Sequence, residues 1–294
     1  MQRVIVPQTR FRSDEIAPGV FAEAFYPGGK DGPAGECLRA TPGGQGWTDN
    51  ILLGGAKQDF QLMWPDIRLP ANQYWPLHWH DCWTAVVLVE GQLLIGDWWM
   101  EPSDVFITRP KLEYGPLVVG PQGARLFEIF ASAELAPGGY APEYHDHPTL
   151  QGTQKVFLER SVENQRNAGR MSLPCEGVEG AYKSRLTPGA LLNLGAPDDP
   201  ERGVLQDRRL DAGEWIAPHR YEDWHLIAVM DGSFTIAGRT IARDGFLRIA
   251  PDVTVPKIVA GEAGARLLEC ARTARGADRI RLSQDQRVTA STLP

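Results

Sequence analysis

The feature that most constrains this 294-residue chain is an internal duplication at one constant offset. His78 and His219, Gly91 and Gly232, and Pro110 and Pro251 are each separated by 141 residues. The same offset pairs Asp66 with Asp207, Arg68 with Arg209, Leu69 with Leu210, Trp83 with Trp224 and Ile95 with Ile236, and it lays GARLFE (123–128) on GARLLE (264–269). A gapless match of more than sixty residues is too long for a solenoid repeat and means two tandem copies of a whole domain. Copies of roughly 150 residues can each bury a core without disulfides or metal to staple them.

The strand signals lie inside the repeat. TAVVLVEGQLLIG (84–96) and LIAVMDGSFTIAG (226–238) are β-rich runs interrupted by Glu-Gly and Asp-Gly, which predicts a β-hairpin in each copy. The 31 glycines and 23 prolines are spread without low-complexity tracts, as many short strands joined by tight turns require. The expected fold is all-β. It has an N-terminal extension (1–44), a first barrel (45–135), a linker with leading strands (136–184), a second barrel (185–275) and a polar tail (276–294).

Composition excludes several classes of partner. A net charge of −7 with no basic stripe argues against nucleic acid, and no apolar run approaches the roughly 18 to 20 residues of a membrane span. The opening MQRVIVPQTRFRSDEI carries charges where a signal peptide needs an apolar run. Cys37, Cys82, Cys175 and Cys270 form no CxxC spacing and read as reduced thiols. The expectation is a cytoplasmic protein whose partner is a small-molecule substrate. The phosphate loop GxxxxGK[ST], the dinucleotide GxGxxG and the nucleophile elbow GxSxG are absent, which weakens nucleotide-dependent and serine-hydrolase readings.

Candidate chemistry gathers in WPLHWHDCWTAVVLVEG (75–91). There His78 and His80 stand at i and i+2, so a strand places both imidazoles on one face, where they can share a metal ion. This segment and PSDVFITRPKLEYGP (102–116) resemble the two motifs of the cupin superfamily, and the chain is similar to the cupin domains of anti-sigma regulators. The resemblance covers both copies and implies two tandem cupin barrels of the double-stranded β-helix, or jelly-roll, type: a bicupin.

Carried over by that resemblance, the first two ligands fall on His78 and His80, the family's acid position on Thr84, and its last histidine on Tyr114. Tyr114 is then either a phenolate ligand or a proton-donating phenol. Glu113 faces outward unless a bulge turns it. The linker cluster His145-Asp146-His147 either folds over the barrel mouth or is a solvated loop. In the second copy Tyr221 replaces the second histidine, His225 takes the acid position and Val255 the last histidine position. His219, Tyr221 and His225 therefore form a degenerate site, structural or gathered around a metal or an anion.

Trp79 and Trp98 have no tryptophan counterpart in the second copy. With Thr84 and Cys82 they are candidates for lining a substrate cup, core packing and an inert thiol being the alternatives. Arg125 and Arg266 recur in both copies, as structural salt bridges would.

The resemblance implies an enzyme holding one divalent metal, Fe, Zn, Mn or Ni, in the first barrel. Iron would support dioxygenase chemistry, and the others a lyase, isomerase or cyclase reaction on an organic acid, enol or phenolic compound. A metal-free His/Tyr acid–base enzyme and a non-catalytic ligand-binding sensor are the other readings. Pairing of such barrels into a homodimer is compatible with the fold.

Overall fold

The computed structural model describes residues 12–24, 47–53, 62–69, 71, 74–75, 78–95, 98–112, 114–115, 117–131, 138–140, 181–195, 202–243 and 245–271. All regular structure among them is β-strand. The first described strands are β1 (Arg12–Ala17) and β2 (Val20–Ala24), an antiparallel pair. Next come β3 (Trp47–Leu53), β4 (Leu62–Leu69), β5 (Tyr74–Trp75), β6 (His78–His80), β7 (Thr84–Ile95), β8 (Trp98–Met100), β9 (Asp104–Thr108), β10 (Leu117–Phe130), β11 (Gly138–Tyr140) and β12 (Ala181–Arg185). The remainder is β13 (Leu191–Leu194), β14 (Gly203–Leu210), β15 (Trp215–Ile216), β16 (His219–Arg220), β17 (His225–Ile236), β18 (Arg239–Ala242), β19 (Gly245–Ile249), β20 (Thr254–Val255) and β21 (Ile258–Ala271).

The strands form two compact units with the same internal plan. In the first, the sheet runs β12-β9-β7-β10-β4-β3, with β5 on β10 and β8 on β7. In the second it runs β1-β2-β19-β17-β21-β14-β13, with β15 on β21 and β18 on β17. The sequence offset survives as strand register. Glu128 opposes Val86 on β7 as Glu269 opposes Ile227 on β17, and Leu126 opposes Ile67 on β4 as Leu267 opposes Arg208 on β14.

Alternation along these strands sends one set of side chains into each barrel. Ile67, Val86, Leu88, Phe106, Leu117 and Leu126 pack the first interior, and Ile227, Val229, Phe234, Leu247, Ile258 and Leu267 the second. Each such side chain contributes on the order of 1.5–3 kcal/mol when fully buried.

Neither unit is contiguous in sequence. β1 and β2, from the expected N-terminal extension, complete the second sheet through β2 against β19, where Arg248 lies 4.3 Å over the Phe21 ring. β12, from the expected linker, completes the first sheet against β9, held by Arg185 Nη1 to Asp104 Oδ1 at 3.0 Å. The recurring arginines are paired: Arg266 with Asp207 at 2.8 Å and Arg125 with Glu90 at 3.8 Å.

The two predicted hairpins are not hairpins. β7 and β17 are each a single strand of 12 residues, and their two halves pair with opposite ends of β10 and β21 rather than with each other. Gly91 and Gly232 do take the left-handed conformation that suggested a turn (φ 76° and 69°), but in a bulge where the register shifts. A Glu-Gly or Asp-Gly pair signals positive φ, and a bulge meets that requirement as well as a turn does.

The bulge leaves no room for a side chain. A Cβ on Gly91 would lie 2.0 Å from the carbonyl oxygen of Gly123, and one on Gly232 would lie 2.2 Å from that of Gly264. At Gly213 (φ 71°) nothing stands within 4 Å. Gly213→Ala should therefore cost only the left-handed strain, roughly 1–2 kcal/mol. Gly91→Ala and Gly232→Ala should cost clearly more, read as larger drops in denaturant midpoint.

Candidate metal centre

The two histidines of the first barrel are fixed by backbone on both sides of a three-residue strand. β6 pairs with β11, placing Gly138 opposite His80 and Gly139 opposite Trp79. On its other side His78 N donates to Tyr114 O (3.1 Å), Tyr114 N to His78 O (2.8 Å), and Lys111 N to His80 O (2.8 Å). His78 and His80 thus share a face, with ring centroids 5.4 Å apart and planes nearly perpendicular.

The third member comes from β10. Glu128 lies two residues beyond the interior Leu126 and so points inward with it. One nitrogen of each histidine and one Glu128 oxygen all lie within 4.8 Å of one another, the single such group among the described residues. His80 Nε2 is 3.3 Å from Glu128 Oε1, and the Tyr114 hydroxyl donates to the same oxygen at 3.0 Å. Burial alone would raise the Glu128 carboxyl. The hydrogen bond and charge of His80, with His78 and the Tyr114 hydroxyl, outweigh it and hold the group below its ordinary value.

The surroundings are aromatic. Tyr114 is fully buried, its ring 4.4 Å from His78 and 5.2 Å from Phe106, while Phe130 meets His80 edge-on at 4.7 Å.

Of the residues singled out in the sequence, the structure brings together His78, His80 and Tyr114. It moves the acid from Thr84, on β7, to Glu128, on β10. The buried Thr84 hydroxyl donates to Cys82 O at 3.2 Å, and Cys82 clusters with Phe130. Trp79 alternates to the face opposite the two histidines. Trp98 packs on the barrel core, with Lys183 Nζ 5.3 Å from its ring. Glu113, His145, Asp146 and His147 lie outside the described residues. The signal for Glu128 was in the sequence: GARLFE and GARLLE both end in glutamate, at an alternation that faces inward with Leu126 and Leu267.

In the second barrel the corresponding Glu269 is fully buried and engaged by a guanidinium. Arg208 Nε donates to Glu269 Oε1 and Arg208 Nη2 approaches Oε2 at 3.4 Å. His225 Nε2 lies 3.2 Å from Oε2. Tyr221 stacks flat on His225, centroids 3.8 Å apart, and meets His219 edge-on at 4.7 Å. Burial would raise Glu269, but the Arg208 charge and the His225 hydrogen bond bring its carboxyl down to about 2. Burial pushes the His219 and His225 imidazoles below their ordinary value and the Tyr221 phenol well above.

Because the folded Glu269 value is depressed, its stabilisation is present above the unfolded value of 4.5 and is lost as pH falls through about 2. Glu269→Gln leaves Arg208 buried opposite no charge, at a cost of roughly 3–5 kcal/mol near neutral pH. The variant should also lack this share of the acid decline, checked by denaturant unfolding across pH 2–7.

No family model matches the chain, and no curated protein matches it. Solved structures do. One from a study of the Mn(II) centres of Bacillus subtilis oxalate decarboxylase is 12% identical with a TM-score of 0.51, covering 78% of this chain and 73% of that one. Another, from work on a structural element that modulates proton-coupled electron transfer in oxalate decarboxylase, is 11% identical with a TM-score of 0.50 over the same shares. Such likeness speaks to the fold, and with the duplicated sheets it fixes the architecture: the chain has the bicupin fold, two cupin jelly-roll barrels in tandem.

Proposed function

We propose that the first barrel holds one divalent metal ion through His78, His80 and Glu128, and that the chain is an enzyme acting there on a small organic acid, enol or phenolic compound. The observation that carries this reading is the convergence of two imidazole nitrogens and a carboxylate oxygen within 4.8 Å. Two neutral nitrogens and one anionic oxygen suit Fe(II), Mn(II), Zn(II) or Ni(II), and three protein ligands leave positions for substrate. The Mn(II) centres of the oxalate decarboxylase neighbour support manganese among the candidates.

A bound metal would supply Lewis acidity or, as iron, dioxygen chemistry. The chain's own residues do the rest. Tyr114 orients the Glu128 carboxylate by donating to it, and Phe130 and Phe106 limit the water around His80 and Tyr114. The last histidine of the family pattern, replaced here by Tyr114, leaves more of the coordination sphere to solvent or substrate.

A second reading has one specific observation behind it. Tyr114 and His80 meet on the same Glu128 oxygen, a three-member chain that could pass a proton without metal, as an acid–base isomerase or cyclase would need.

Elemental analysis of untagged, chelator-free protein separates the two. The metal reading expects close to one ion per chain, lost in His78→Ala, His80→Ala and Glu128→Gln. Tyr114→Phe removes only a hydrogen bond to a ligand and should weaken affinity by roughly 10- to 100-fold. Sub-stoichiometric metal, unchanged by all four substitutions, would leave the acid–base reading standing.

A further inference from the structure

The duplication allows the two barrel interiors to be compared residue by residue. Each interior carries a glutamate at the same register on its long strand, Glu128 on β10 and Glu269 on β21. Each must have positive charge nearby, because an isolated carboxylate in an apolar barrel is costly. In the second barrel the charge is covalent: Arg208, itself buried, lies along both oxygens of Glu269. The residue at the same register in the first barrel is Ile67, part of the apolar interior.

The surrounding positions differ in the same sense. His78 and His219 correspond, but His80 is matched by Tyr221, Thr84 by His225 and Tyr114 by Val255. Among the described residues no second-barrel group brings three ligand atoms as close together as the first barrel does. One trace of a ligand remains. His219 Nδ1 lies 2.8 Å from Ala217 O, which sets that nitrogen as the donor and leaves the lone pair on Nε2. That buried Nε2 has no hydrogen-bond partner among the described residues.

We infer that Arg208 is the second barrel's built-in cation, fixed on Glu269 in the role that a metal ion plays on Glu128. The second site is therefore metal-free, and the protein takes up one ion from two duplicated sites. The inference rests on the metal reading of the first barrel. It also goes beyond it: the residue that decides which barrel binds metal is the one on β4 or β14, a position that supplies no ligand. A guanidinium at that position satisfies the glutamate with two donors and repels a second cation, whereas an isoleucine brings no fixed cation and leaves Glu128 to His80 and the Tyr114 hydroxyl, groups that can share it with a metal ion.

The position can be exchanged in both directions. Ile67→Arg brings a guanidinium to Glu128, and Ile67→Met is the uncharged control of similar length. Arg208→Ile combined with Tyr221→His removes the second barrel's cation and restores the paired-histidine spacing. The probe is Mn(II) or Zn(II) added back after chelation, counted per chain, with thermal unfolding followed with and without the ion.

The inference expects one ion per chain in the wild type, none in Ile67→Arg and one in Ile67→Met. The double variant should take up two, and its unfolding should show a metal-dependent rise beyond the wild type's. Should Ile67→Arg be insoluble, the double variant decides alone. A folded double variant that still binds one ion, or a soluble Ile67→Arg variant that keeps its ion, overturns the role given to Arg208, while the first-barrel reading is judged separately by loss of the ion in His78→Ala. A wild type that binds no ion at all overturns both.

Discussion

A carboxylate inside an apolar barrel has to be met by positive charge or strong hydrogen-bond donors, and both interiors of this chain are organised around that requirement. Glu128 and Glu269 are delivered by register alone. The long strands β10 and β21 run against β7 and β17, and the residue two beyond Leu126 or Leu267 faces inward. From there the solutions part. The first barrel gathers His78, His80 and the Tyr114 hydroxyl on its glutamate, and the second applies Arg208 and His225. One ancestral geometry has thus been kept twice and neutralised in two ways.

The remaining interior follows from which neutralising group is present. In the first barrel a small polar triangle is walled by Phe106, Phe130 and Tyr114. In the second, the Tyr221 ring lies flat on His225, and Val255 stands where Tyr114 stands in the first, opposite His219 as Tyr114 is opposite His78. Packing takes over the volume that the candidate ligands occupy in the other copy.

Much of this was legible in the sequence. The 141-residue offset carried the duplicated architecture, and the spacing of His78 and His80 carried the strand and its shared face. Two things were legible only in part. Glu-Gly at 90–91 and Asp-Gly at 231–232 report a backbone with positive φ, and the sequence does not distinguish a turn from a bulge in an unbroken strand. Glu128 lies 48 residues after His80, so no local spacing links them. The family pattern directed attention to Thr84, whose counterpart His225 does contact the glutamate in the second barrel. The contact between Arg208 and Glu269 spans 61 residues and becomes visible only when the strands are laid in register.

The exchanged edge strands bear on how such a chain is made. β2 pairs with β19, matching Val20 to Ile249, so the hairpin leaves the ribosome more than two hundred residues before its partner exists. β12 pairs with β9 across 73 to 81 residues, from Ala181 on Thr108 to Arg185 on Asp104, and is available soon after the first barrel's own strands. Contacts of long sequence separation form late, because the loop-closure entropy must be met before the pairing rewards it. The first barrel can close its outer edge during synthesis. The second keeps β19 as an open edge until the start of the chain returns to it, and in that interval it offers a ready template for a wrong strand.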